Sequence, residues 1–277
     1  KRLPATPPQR SRAAATEPTR FPMPITPFTD DFPDEAAVRA LGFGPGRPLA
    51  ETQSTAAAPT LAVSIRHGDL ANARYPVLVG HYAGDTIVSA EAAVNQRLGG
   101  VLSQRLNLGM YPAANGTHAL FFNEVPTHKP SGAIVVGLGL VGELSPGLLE
   151  AGVRGALLDF ALQVAQWPDD VRFGPASAPR SAAVSCLLVG SGAGGMPVGT
   201  SVDAILRGAV SASAALVEQG LESRVVIDAV EIIEIFEDVA ISAAEGLENC
   251  LRDGDLAGKL RWDSRDIQSG EGRRRRV

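Results

Sequence analysis

AIVVGLGLVGELSPGLLEAGVRGALLDFALQVAQ, residues 133–166, reads as strand, glycine turn and helix in succession. Ala133, Ile134, Val135 and Val136 form an apolar run of the length and β-branched content of a buried strand. Gly137, Gly139 and Gly142 follow at G-x-G-x-x-G spacing, which lets main chain approach a phosphate at a helix N-terminus. Ser145 can cap a helix through its hydroxyl, and Pro146 suits the first helical position because its missing N–H would have no partner there. Leu149, Val153, Leu157, Ala161 and Val164 then recur at helical spacing, with Leu158 and Leu162 widening the face.

A second unit of the same kind occupies residues 182–218. Residues 182–189 read as a strand, and Gly190, Ser191, Gly192, Gly194 and Gly195 make a second glycine loop. A helix is expected over 200–218, with Thr200 and Asp203 at capping-box spacing. Two strand–glycine–helix units in tandem predict an α/β domain.

Composition fits that class. Of 277 residues, 45% are hydrophobic and only 5% aromatic, which favours close-packed α/β layers over an aromatic-rich sandwich. A net charge of −5 argues against a nucleic-acid partner. No uninterrupted apolar run reaches the ~18 residues of a membrane span. Cys186 and Cys250 form neither a disulfide framework nor a zinc pattern, so a reducing cytoplasm is the expected compartment. The four histidines, His67, His81, His118 and His128, lack metal spacing, and neither metal nor cofactor is expected.

Outward from the two units, residues 1–59 are proline-rich and read as a linker or docking arm. Phe21, Met23, Ile25 and Phe28 are its candidate anchors, and a helical turn is expected near 34–41. The start at Lys1 inside this tract is expected of a piece of a larger polypeptide. Globular sequence is expected over 60–252. Strands are read at 61–65, 75–82 and 118–123, and a helix at 89–106 is interrupted by Gly99 and Gly100. The run 224–236 reads as a strand near a sheet edge, where Asp228, Glu231 and Glu234 can reach water. A last helix is expected over 237–251, then a polar tail, 253–277, ending in four arginines.

With these units placed, residues 61–251 resemble the macrodomain fold, and in particular the macro-like N-terminal domain of leucine aminopeptidases. The resemblance rests on Gly68-Asp69-Leu70 after a strand and on VNQRLGGVLSQRL (94–106), GTHALFFNE (116–124) and AIVVGLGLVGELSPGLL (133–149). LVGSGAGGMPVGTSVDA (188–204) is similar to the second phosphate loop of macrodomains. The resemblance implies three α/β/α layers around a mixed, mostly parallel sheet. Ser89, Ala90, Glu91 and Ala92 stand where hydrolytic macrodomains carry asparagines at the distal ribose, and Asn95 comes later, so hydrolysis of ADP-ribose is not implied. The residues after Leu251 do not hold the aminopeptidase's metal-binding domain, with its lysine, aspartates and glutamate, so the resemblance does not imply peptidase activity for these residues. Similar glycine-loop segments also resemble parts of large bacterial multidomain proteins with caspase-like peptidase domains.

These readings give a candidate ligand site of Asp69, Gly137, Gly139, Gly142, Gly190, Ser191, Gly192, Gly194 and Gly195. The two loops would end adjacent strands at the sheet's carboxyl edge, where ligands of open α/β sheets sit, and a diphosphate would bridge them. By resemblance, Asp69 would accept from an adenine amino group. The plainer reading is that the loops merely turn tightly and Asp69 caps a turn. No catalytic residue is expected. The first expectation is a non-catalytic module serving assembly or regulation with other domains or subunits. The alternative is a binder of ADP-ribose or a related nucleotide diphosphate.

Overall fold

In chain order the elements are β1 (Leu61–His67), β2 (Val77–His81), α1 (Ser89–Arg97), α2 (Val101–Asn107), β3 (His118–Phe122), β4 (Gly132–Gly137), α3 (Pro146–Gln166), β5 (Arg180–Ser181), β6 (Val184–Cys186), α4 (Val198–Glu218), β7 (Val225–Val226), β8 (Ala229–Glu234), α5 (Glu237–Arg252), β9 (Leu260–Trp262) and β10 (Gln268–Ser269). The structure, a computed structural model, describes residues 59–125, 127–167, 179–263 and 267–269. The proline-rich arm, its expected helical turn and the arginine run lie outside the described residues.

The main sheet has the order β10-β1-β8-β6-β2-β4-β3, with β9 also beside β1. All its pairings are parallel except β3 with β4, so the sheet is mixed and mostly parallel. Parallel strands need crossovers, which place helices on both faces and make the strands apolar throughout. One face packs against α3, α4 and α5 through residues such as Ile65, Leu78, Ile134, Phe160, Ile205 and Leu247. The other packs Val77, Val79, Val135 and Ile233 against Val94 and Leu102 of α1 and α2. The three layers follow directly.

The 133–166 stretch folds as read: Ser145 accepts the Leu148 amide at 3.3 Å and Pro146 opens α3. Leu149, Val153, Leu157, Ala161 and Val164 are fully buried, whereas Leu162 is 40% exposed and Phe160 takes the inward position. In the second unit the strand shortens to β6, and α4 begins at Val198 behind Pro197. The Thr200–Asp203 box is therefore not a cap. Asp203 lies one turn inside the helix and binds Arg207 through both oxygens (3.1 and 2.9 Å). By length and composition α4 could cross a bilayer, but 61% of its most apolar window is buried inside the fold.

The 224–236 run departs most from its reading. It divides into β7 and β8, and β8 lies inside the sheet between β1 and β6. Glu231 is fully buried rather than solvent-facing. It is matched there by Arg66 Nε (2.8 Å), the Arg74 amide (3.0 Å) and the Ser185 hydroxyl (2.8 Å). A carboxylate that carries its own donors can sit where alternation alone forbids one. Beyond Asp253, β9 and β10 extend the sheet along β1.

Candidate functional site

Both glycine loops open at the carboxyl edge of the parallel strands, but not from adjacent strands. β2 pairs with β4 on one side and β6 on the other, so residues 138–144 and 190–197 flank its end.

The first loop is committed to packing. The Gly137, Leu138 and Gly139 amides donate to the Thr117, His81 and Ala113 carbonyls at 2.8, 2.9 and 2.8 Å. Gly139 has φ +70°, and a Cβ there would lie 2.5 Å from the Asn115 side chain. These glycines admit the 113–117 segment. Only the tip faces outward: Leu140 and Val141 are half-exposed beside Gly142. Between the loops, Leu138 and Val189 meet over Gly80, Leu144 lies over Gly190, and Met196 is buried alongside. On the face covered by α3 and α4, apolar groups therefore occupy the crevice that a bridging diphosphate would need.

The second loop differs. Ser191 turns back on Leu188, whose carbonyl accepts from the Ser191 amide (3.3 Å) and hydroxyl (2.7 Å). The Gly195 amide donates to Gly192, and the Met196 amide to Gly190. The Gly192, Ala193 and Gly194 amides make no hydrogen bond with any described residue. The first bond of α4 runs from the Ser201 amide to Pro197 (3.0 Å), so three further amides open the helix behind this loop. Against Gly194 lies the tip of Tyr82, so close that a Cβ there would overlap the hydroxyl. Tyr82 is 7% exposed, and its hydroxyl has no hydrogen-bond partner among the described residues. An unmet buried hydroxyl costs roughly 1–3 kcal/mol. Burial first, then the Asp85 charge, hold the phenol above its ordinary pKa, so it stays a donor.

Asp69 does not join the loops. It follows β1, which β8 and β6 separate from β2. Its carboxylate accepts the Ala71 amide at 2.7 Å, opening a short 3-10 turn, and pairs with Arg97 at 3.2 Å. Asn95 ties α1 to α2, donating to the Ser103 hydroxyl (2.7 Å) and accepting the Ser103 amide (3.1 Å). His67 contacts the Ile235 carbonyl at 3.2 Å. At the start of α1, where the resemblance places ribose-binding asparagines, Glu91 is buried instead. The Tyr111 hydroxyl donates to it at 2.5 Å, and His81 Nδ1 lies 3.1 Å away. Sequence reading missed this cluster and Tyr82. Each is made by residues brought together across the fold, and a tyrosine after a strand carries no signal that its hydroxyl is unmet.

A recess of about 330 Å³ between α4 and α5 is lined by Gly199, Thr200, Asp203, Arg207, Cys250 and Asp253. Arg207 is held there by Asp203, Asp253 (2.7 Å) and Asp255 (3.4 Å), so carboxylates outnumber the cation and an anion is disfavoured.

No protein-family profile matches the chain, and no curated protein matches it. Among solved structures, it is similar to a Trypanosoma brucei macrodomain in complex with ADP: 15% identity, 67% of this chain and 69% of that one, TM-score 0.46. It is similar also to an Oceanobacillus iheyensis macrodomain mutant with ADPR: 15% identity, 72% and 98% covered, TM-score 0.48. A third is the macrodomain of Mycobacterium tuberculosis DarG: 14% identity, 62% and 97% covered, TM-score 0.42.

Proposed function

We propose that the chain binds a nucleotide diphosphate of the ADP-ribose class at the carboxyl edge, without hydrolysing it. One phosphate lies on the 190–195 loop. The observation that carries this reading is the set of three consecutive amides, Gly192 to Gly194, without acceptors among the described residues and shortly before the N-terminus of α4. Successive main-chain N–H groups at a helix start attract anions through direct hydrogen bonds and the helix dipole. The resemblance of residues 188–204 to a macrodomain phosphate loop supports the same position. Gly190, Ser191, Gly192, Gly194 and Gly195 remain in the site on this reading. Gly137 and Gly139 serve packing, and Asp69 serves a turn. The absence of hydrolysis is supported by Glu91, whose carboxylate is held by His81 and Tyr111 at the head of α1.

A thermal-shift titration with ADP-ribose, ADP and inorganic phosphate tests the proposal. A saturable rise is expected, about 2.7 kcal/mol of stabilisation at a ligand concentration of 100 Kd. No rise with any of the three overturns it. A second reading, a module for assembly within a larger protein, is favoured by a different feature. Val88, Leu108, Met110, Leu140 and Val141, all 50% exposed or more, lie on loops at this same edge. Exposed apolar groups of this size suit contact with a partner surface.

A further inference from the structure

Resting on that reading, we infer that the Tyr82 hydroxyl is a ligand-binding group, donating to the phosphate oxygen held by the 190–195 loop. Tyr82 follows β2 directly, and its ring belongs to the apolar cluster that includes Leu138, Val189 and Met196. Packing thus fixes the ring, and the hydroxyl is its only polar atom. That atom is buried, has no hydrogen-bond partner among the described residues, and is placed against Gly194. The Gly190 carbonyl, which also lies against residue 194, accepts the Met196 amide (3.0 Å). A phenylalanine would fill the same space without burying an unmet donor, so the hydroxyl is a liability to the fold alone. The loop is also shaped around it, since any side chain at residue 194 would strike the phenol.

Donor and cradle point to one chemistry. The Gly192, Ala193 and Gly194 amides supply donors only, and a phenol kept protonated by burial and by Asp85 supplies another. Four donors without a side-chain cation suit a phosphate oxygen. Asp85 opposes the incoming charge, so its neutralisation should strengthen binding.

The test compares wild type, Tyr82→Phe and Asp85→Asn by calorimetric titration with ADP-ribose and with inorganic phosphate, and by thermal melting without ligand. Tyr82→Phe is expected to bind about tenfold more weakly, as for loss of one hydrogen bond to a charged group. Its ligand-free melting temperature should hold or rise by ~2 °C. Asp85→Asn should bind a few-fold more tightly. If wild type binds and Tyr82→Phe binds equally well, the hydroxyl's role is overturned while the loop site stands. A fall of several degrees in melting temperature with unchanged affinity also overturns it, because the hydroxyl is then met inside the fold. Failure of wild type to bind sinks both.

Discussion

Replacing Glu231 by Gln removes one charge from the centre of the sheet and almost no volume. The carboxylate is fully buried on β8, and its two oxygens have divided duties. One accepts the Arg74 amide and the Ser185 hydroxyl, and the other accepts Arg66 Nε at 2.8 Å with Arg74 Nε 3.5 Å away. The glutamine carbonyl can keep the first pair, but its NH2 then points donors at the Arg66 and Arg74 guanidinium groups. Removing one partner of a buried ion pair typically costs about 3–5 kcal/mol. Arg66 is 16% exposed, and water reaching it should bring the loss to about 3 kcal/mol, the low end of that range. Against a total stability on the order of 5–15 kcal/mol, that is a large fraction. Urea unfolding followed by circular dichroism should show the midpoint falling with the slope unchanged. A loss below about 1 kcal/mol would refute the reasoning, because it would put Glu231 in the range of surface pairs.

Two further outcomes follow from the packing. Burial, then the Glu231 charge, push the Cys186 thiol far above its ordinary pKa, and burial, then Asp203, push Cys250 up to about 12. Both stay protonated and inert at pH 8, so Ellman's reagent should label neither in the native protein and both after denaturation; rapid native labelling would contradict their burial. Asn95→Ala should cost about 1 kcal/mol by freeing α2 from α1, and should leave nucleotide binding unchanged in the same titration; a loss of binding without a loss of stability would return Asn95 to the site.

The layers and most elements were legible because they rest on short-range chemistry. Ser145 and Pro146 announce the start of α3, Gly99 and Gly100 the break between α1 and α2, and apolar periodicity the buried stripe of α3. What was lost depends on partners distant in sequence. Glu231 looked like an edge carboxylate because Arg66, Arg74 and Ser185 are far along the chain. Thr200 and Asp203 had capping spacing, but the turn at residue 197 starts α4 earlier, leaving Asp203 to Arg207 and Asp253. The glycine spacing located two carboxyl-edge loops but could not tell a loop that admits a neighbouring segment from one that leaves amides open. Asn115 against Gly139 and Tyr82 against Gly194 make that distinction, and both contacts exist only once the sheet has formed.

The most direct measurement is an amide-resolved NMR titration of the protein with ADP-ribose. The account predicts saturable shifts centred on Gly192, Ala193 and Gly194, reaching Tyr82 and the first turn of α4. Shifts confined to residues 137–142 and Asp69, or none anywhere, would contradict it.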